Sequence, residues 1–361
     1  MGTTLKDIAA MAGVSAGTVD RALHDRGRVN PLVAERIKKI AKELGYRPNQ
    51  IAKGLSRRKD NLRITIILHI RRTNTFFEDV LVGIKQGYDE LVDYGVSVDI
   101  KFSADFNADD QLANIDRALE EKTNGIIIVP ICDERISARL EDVARSGIPV
   151  VFLTNLIEGV SYNSFVGCDY ELSGQIAAGL LHLCAPQGGR LLVLIASLAM
   201  YGHRLRLRGL TGTLESEYPS IRLQECVELS SDEISDYRLT SRKLAEHPDT
   251  DLIICPGAFG TGCLTAMRDA GFFGRAKIIA YDCSRMINKA LEERAVMAII
   301  AQQPSLQGYT AMKTMFSILT GAGDIERDNY IKTRILLREH WKEISQRPRP
   351  SGQWQDGGEK V

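Results

Sequence analysis

No apolar run in this 361-residue chain approaches the roughly 18 residues that a membrane-spanning helix needs, so a transmembrane protein is not expected. Lys6 and Asp7 interrupt the N-terminus and no long apolar stretch follows, so it does not read as a signal peptide. A cytoplasmic protein is expected. The seven cysteines (Cys132, Cys168, Cys184, Cys226, Cys255, Cys263 and Cys283) never fall at a metal-ligand spacing such as C-x2-C. They read as reduced core thiols, which excludes a zinc module and a disulfide scaffold. No nucleophile–histidine–acid constellation emerges either, so neither an enzyme nor a resident metal or cofactor is expected. The tail 347–361 is polar, rich in Pro and Gly, and carries no leucine heptads, so it suggests disorder rather than an assembly helix. An excess of one charge is also missing, since 46 basic residues face 46 acidic ones.

That balance hides a partition. Residues 1–60 hold 13 Lys/Arg against 6 Asp/Glu, leaving 33 against 40 for the remainder. A basic head on an acidic body is the electrostatic footprint of a nucleic-acid reader joined to something else. The head has the matching pattern. Thr4 caps a first helix with Asp7 three residues on, Gly13 supplies a turn, and Ser15 caps a second helix. Ile8, Ala9, Val14, Val19 and Leu23 form the apolar seam between them. A third helix starts with Asn30 as cap and Pro31 at its first position, buries Ile37, Ile40, Ala41 and Leu44, and stops at Gly45.

Three strings, TLKDIAAMAGVSAGTVDRAL, GRVNPLVAERIKKIAKELGYRPN and QIAKGL, lie between Thr4 and Leu55. Together they resemble the lactose/galactose repressor family of bacterial transcription factors. The resemblance implies an all-α helix-turn-helix domain over residues 3–47 and a hinge over 48–61. It further implies a two-lobed effector and dimerisation domain over 62–346, double-stranded operator DNA and a small-molecule effector as partners, and a homodimer.

From Arg63 onward β-rich runs alternate with amphipathic helices. Buried runs such as Ile126-Ile127-Ile128-Val129 suit parallel strands covered on both faces. The expected architecture is an α/β body of two doubly wound parallel-sheet lobes, similar to the periplasmic sugar-binding-protein fold. The chain is expected to cross between lobes near Ser161–Ser164, Asp282–Arg285 and Gly321–Arg327. Lobe 1 would then hold about 62–162 and 285–321, and lobe 2 about 163–284 and 325–346. Gly257-Ala258-Phe259-Gly260-Thr261-Gly262 lacks the order of a nucleotide-binding loop and reads as a strand-to-helix turn.

By the resemblance, the second helix enters the major groove by its N-terminal end, Ala16-Gly17-Thr18, with Arg21 one turn on. Arg21 suits a bidentate contact to guanine, with a phosphate contact as the alternative. Ser15, Thr18 and Asn30 suit phosphate contacts, with helix capping as the alternative for Ser15 and Asn30, and Leu5 and Asn49 complete the expected DNA-facing set. A hinge helix of about eight residues is marginal alone and is expected to fold on DNA against its twin. Ala52 shares a face with Ile51 and Leu55, and the resemblance makes Leu55 a wedge in the minor groove.

For the effector cleft, the resemblance points to Asn74, Phe76 and Phe77 after the first strand, with a place in the core as the alternative for the two rings. It also points to Arg206, Asp282 and Gln302, for which salt bridging at a surface or lobe border is the alternative. Thr154-Asn155 stands where ribose- and galactose-type binders carry Asp-Arg, so the charged clamp of the first lobe is missing. A neutral polyhydroxylated ligand, sugar or polyol, is expected. A sugar-binding transport component without regulatory DNA binding is the rival reading, and residues 4–55 argue against it.

Overall fold

The computed structural model describes residues 5–23, 29–43, 61–70, 75–104, 107–198, 200–230, 232–257, 260–323 and 325–340. The expected hinge up to residue 60, with Asn49, Ala52 and Leu55, lies outside the described residues, as do Asn74 and the 347–361 tail. The chain divides into two compact units, residues 1–60 and 61–361.

The first unit contains α1 (Leu5–Ala12), α2 (Ala16–Leu23) and α3 (Pro31–Glu43). Gly13 takes φ +67°, a left-handed turn that costs a glycine nothing. Ser15 Oγ accepts from Thr18 N at 3.2 Å, and Asn30 Oδ1 accepts from Leu32 N at 2.9 Å, so both expected caps form. Ile8, Ala9, Ala12, Val19, Ala22, Ile37, Ile40 and Ala41 close into one small core, with Val14 and Leu23 half-buried against it.

The second unit is built on two six-stranded sheets. Its elements, in chain order, are β1 (Leu62–Ile70), α4 (Thr75–Asp89), β2 (Val96–Ala104), α5 (Ala108–Glu120), β3 (Gly125–Ile128), α6 (Glu134–Arg145), β4 (Val150–Leu153) and β5 (Ser164–Gly167). Then follow α7 (Tyr170–Cys184), β6 (Gly189–Ile195), α8 (Tyr201–Glu217), β7 (Ile221–Glu228), α9 (Glu233–Glu246), β8 (Leu252–Ile254), α10 (Thr261–Asp269), β9 (Lys277–Tyr281), α11 (Arg285–Glu292) and β10 (Ala298–Ala301). The last are α12 (Pro304–Thr320), β11 (Asp328–Tyr330) and β12 (Arg334–Leu336). The sheet orders are β11-β5-β4-β3-β1-β2 and β12-β10-β9-β8-β6-β7, so the two lobes repeat one doubly wound plan. Strand pairs are parallel except β10 with β12.

The lobe boundaries differ from the sequence expectation. β5 pairs with β4 and so belongs to the first sheet, while α11 and β10 pack into the second lobe. The run read as one strand near Tyr330–Leu336 is two short strands in different sheets. The crossings therefore fall at residues 168–169, 302–303 and 331–333, later than expected in every case. Both lobes use the same alternation of buried strand and helix, so composition does not distinguish their strands. Hydrogen-bond partners decide membership, and those are non-local.

Glycines bring helix pairs in both lobes to backbone contact. A Cβ on Gly174 of α7 would lie 2.1 Å from the Arg206 carbonyl oxygen, and one on Gly209 of α8 would lie 2.1 Å from that of Glu171. In the first lobe Gly83 of α4 meets the backbone of Ser305, and Gly308 of α12 meets that of Val80. Because the obstacle is backbone, it cannot rotate away. Gly209→Ala should destabilise the fold by roughly 1–3 kcal/mol or more. Gly212→Ala, three residues along α8 at an exposed position with nothing within 4 Å, should stabilise it by about 0.5–1 kcal/mol. Urea unfolding midpoints check both, and equal effects would show that the α7–α8 contact is not tight.

Candidate functional site

In the head, the N-terminal end of α2 is a compact polar cluster. Ser15 Oγ and Thr18 Oγ1 are 2.9 Å apart, and Arg21 turns back along the helix toward them. Its Nε donates to the Gly17 carbonyl at 3.2 Å and its Nη2 to Thr18 Oγ1 at 3.5 Å. Long helical side chains lean toward the N-terminus in this way. With no side chain on Gly17, the exposed guanidinium lies over the first turn. Leu5 and Ala16 begin α1 and α2, and Asn30 caps α3.

In the body, the two lobes meet at the carboxyl ends of their strands, where ligands bind in open α/β sheets. On the first-lobe side Phe76 is buried, and its ring meets Phe77 edge-on at 5.4 Å between centroids. Half-buried Phe77 in turn meets His69 edge-on at 6.2 Å. Both rings pack on the first lobe's core. Phe76 also reaches a cavity of about 20 Å³, shared with Asp79, Asp282, Cys283 and Leu336, which has room for about one water. Asn155 follows β4 and is fully buried, with Nδ2 donating to the Pro130 carbonyl at 2.7 Å. Its Oδ1 finds no hydrogen-bond partner among the described residues. Thr154, a β-branched residue, is held at φ +58°, and its carbonyl accepts the Tyr170 hydroxyl.

The second-lobe side centres on Arg206, which the α7–α8 contact presses toward the cleft. The residue is 3% exposed. Its guanidinium carbon lies over the rings of both Tyr170 and Tyr281, 4.8 Å from each centroid. Nη1 donates to the Pro256 carbonyl at 2.8 Å, Nη2 donates to Gln302 Oε1, and Nε has no hydrogen-bond partner among the described residues. Asp282, at φ +57°, accepts the Gln302 main-chain N–H at Oδ1 (3.0 Å) and the Gln302 Nε2 amide at Oδ2. The Gln302 carbonyl accepts Gln307 Nε2 at 2.8 Å and the Cys168 thiol at 3.6 Å. Arg206, Asp282 and Gln302 therefore form one buried chain rather than surface salt bridges. Tyr201 and Leu205 of α8 pack against the core of the first lobe, so the lobes are closed on each other.

Burial sets the titration of this region. It pushes Tyr281 and Cys168 each up to about 12, raises Tyr170, and raises Asp282 against the opposing pull of the Arg206 charge. Tyr281, Cys168 and Tyr170 therefore stay protonated at neutral pH. Among the described residues, Glu225, Glu246 and His247 are the group spaced to hold a metal, but Lys243 Nζ lies 2.7 Å from Glu225 and 2.8 Å from Glu246. The ammonium already occupies the cation's place. Gly257–Gly262 is a strand-to-helix turn from β8 into α10, as expected, with residues 258 and 259 outside the description.

Sequence reasoning passed over Tyr170, Tyr281, Cys168 and Gln307. A usable signal existed for two of them. Tyr281 directly precedes Asp282 at the end of a strand, and Tyr170 follows Asp169, the cap that opens α7.

Residues 4–49 match the profile described as bacterial regulatory proteins, lacI family, and residues 64–323 match that of the periplasmic binding protein domain. The chain is 30% identical to catabolite control protein A of Priestia megaterium over 47% of this chain and 49% of that protein. It is 24% identical to the lactose operon repressor of Escherichia coli (strain K12) over 77% and 75%. The chain spans about half the length of the curated relatives it matches first. Among solved structures, a solute binding protein of an ABC transporter from Bacillus halodurans C-125 with bound myo-inositol superposes with a TM-score of 0.69. It shares 18% identity over 79% of this chain and 98% of that one, a likeness of fold. No helix among the described residues is long and apolar enough to cross a membrane. Over residues 64–323 the chain belongs to the periplasmic binding protein domain family, and over residues 4–49 it carries a helix-turn-helix head of the lacI family of bacterial regulatory proteins.

Proposed function

We propose that this chain is a sequence-specific DNA-binding repressor whose operator affinity is set by a small neutral ligand held between the two lobes. The observation that carries the ligand half is the buried Arg206–Gln302–Asp282 chain, a cation and an anion placed where the lobes close. The same polypeptide opens with a basic three-helix head whose second helix presents Ser15, Gly17, Thr18 and Arg21 at one end. In this reading the protein acts in the cytoplasm as a homodimer, because two half-sites need two heads. The hinge residues, with Asn49, Ala52 and Leu55, fold on the operator, and Leu55 wedges into the minor groove. Leu5, Ala16 and Asn30 complete the DNA-facing set. Asn74, Phe76, Phe77 and Asn155 face the ligand from the first lobe. With Thr154-Asn155 there, that lobe lacks an Asp-Arg pair after β4, which favours a neutral sugar or polyol.

Ligand binding would act by linkage, since a ligand shifts the closed–open equilibrium only by its differential affinity for the two forms. Purified protein should retard DNA from the promoter of its own gene. Leu55→Ala should weaken that complex by about a few kcal/mol and abolish its bend. Arg21→Ala should relax preference at one symmetric pair of operator positions, whereas Lys38→Ala should mainly flatten the salt dependence. Absence of retardation by the parent protein would end the regulatory reading. Equal weakening on all sequences would make Arg21 a phosphate contact.

A neutral sugar or polyol at a hundred times its Kd should stabilise the chain by about 2.7 kcal/mol, and Arg206→Ala or Asp282→Ala should abolish the shift. Ribose and galactose should give none, and a clear shift with either would defeat the argument from the missing clamp.

Asp282 adds a pH signature. Burial holds its folded-state pKa above the unfolded value, so the folded chain binds this proton more tightly. The stability tied to it is complete below the unfolded value and is lost as pH rises through the folded one. Unfolding midpoints of the parent and Asp282→Asn, measured across the acid-to-neutral range, should show the parent's relative stability falling as pH rises. A difference independent of pH would mean that the carboxyl titrates normally.

A further inference from the structure

We infer that residues 341–354 fold back over the second lobe as a strap and cover an apolar shelf between α7 and β12. Trp341 and Ile344 seat at the end of the shelf far from the cleft, and Trp354 seats at the near end. The surface and its occupant belong to one chain, and neither DNA nor a ligand takes part.

The shelf follows from the sheet. α7 covers the face on which Ala177, Ala178 and Leu181 meet Ile279, Tyr281 and Ile300. Ile335 of the edge strand β12 is the Cα partner of Ile300, and directly opposed residues of an antiparallel pair point to the same face. Ile335 therefore stands on the α7 side, while Leu336 points into the core on the other. Gly174 faces α8, which at 3.6 residues per turn puts Ile176 and Leu180 on the opposite flank, toward β12, with Leu172 and Leu183 outermost. Leu183 is 76% exposed, and Leu172, Ile335 and Leu337 are exposed as well. Single exposed apolar side chains are ordinary, but an aligned set at one sheet edge marks a contact surface.

The course of the chain identifies the occupant. α7 follows the first crossing and β12 follows the third, so both run away from the cleft, and Leu183 and Leu337 stand at the same end. There the Leu337 carbonyl accepts the His340 main-chain N–H at 2.9 Å, and the Leu337 N–H donates to His340 Nδ1 at 3.0 Å. That turn delivers residue 341 at the foot of the shelf. The two tryptophans of the chain are Trp341 and Trp354, with Ile344 three residues after the first. Covered indole rings bury roughly 150–250 Å² each. The polar composition of 347–361 offers no core of its own, so the surface that buries them has to come from the body. Reach is sufficient. From Leu183 to Leu172 the helix is about 17 Å long, and the stretch from Ile344 to Trp354, with Pro348 and Pro350, spans about 30 Å when extended. Charge agrees too: α7 carries no Lys or Arg and starts at the exposed Asp169, whereas Lys342, Arg347 and Arg349 outnumber Glu343 in the segment that would lie along it.

Because both tryptophans lie in it, the segment reports on itself. Trp354→Phe and Trp341→Phe each leave one indole in the full chain, read by its emission maximum and by acrylamide quenching against N-acetyltryptophanamide. In both proteins the emission should be blue-shifted and the quenching roughly twofold shallower than for that free indole. Leu183→Lys should return Trp341 to the behaviour of the free indole, and Leu172→Lys should do so for Trp354, with the circular dichroism unchanged. Ile335→Ser replaces Leu183→Lys should that chain not fold. Removing residues 341–361 should raise the binding of an apolar fluorescent dye roughly twofold by uncovering the shelf. Indoles as exposed as the standard, or protection that survives the shelf substitutions, would overturn the inference. So would protection that falls on dilution, which would assign the shelf to a second copy of the chain. None of these readouts involves DNA or a ligand, so they stand apart from the tests of the proposed function.

Discussion

A guanidinium taken out of water must find partners for its charge and its N–H groups, and the cleft is organised by that demand at Arg206. The desolvation cost of such an ion is several kcal/mol unless charge and hydrogen bonds are returned to it. Two tyrosine faces, a proline carbonyl and a glutamine amide return part of it, and Asp282 supplies the opposite charge one amide away. The arrangement is deliberately incomplete at Nε. A site that left the ion wholly satisfied would have nothing to gain from a ligand, and one that left it wholly bare would not hold together.

Arg206 reaches this position because α8 lies backbone to backbone against α7. Gly174 sits under the Arg206 carbonyl, and Gly209 sits under that of Glu171 one turn later. Any side chain at either position would lift α8 away and carry the guanidinium off the two rings. The first lobe repeats the device with Gly83 and Gly308 between α4 and α12, and the start of α4 there carries Phe76 and Phe77. In each lobe a close helix pair thus aims the residues at the lobe junction, and the sheets beneath supply the rigid frame.

This division explains what was legible in the chain. Caps, turns and apolar periodicity are local, so the head's three helices, its seam and the caps Ser15 and Asn30 were readable directly. The doubly wound plan was readable from alternation, and Arg206, Asp282 and Gln302 were readable from resemblance. Lobe membership was not, because Ser164–Gly167 and Ala298–Ala301 are buried apolar runs of the same kind whichever sheet they join. Nor was the tyrosine pair at Arg206, since Tyr170, Arg206 and Tyr281 come from three elements and share no spacing. Phe76 packs in the first lobe's core and also lines the small cavity at the lobe junction.

Placing the second crossing at residues 302–303 changes how a signal would travel. Gln302 lies in that crossing, its carbonyl receives Cys168 from the first crossing, and Gln307 ties it to α12 of the first lobe. The residue after it, Gln303, is held at φ +57° and donates through Nε2 to the Lys332 carbonyl in the third crossing. One short segment therefore touches the ligand-facing charges and all three strands on which the lobes would turn. Under the proposed reading, no chain of intermediate residues has to be invoked between the bound ligand and the lobe angle. A ligand group engaging Arg206 or Asp282 would act on partners of Gln302, a residue of the crossing itself. The coupling free energy is then bounded by how differently those few bonds are satisfied in the open and closed forms.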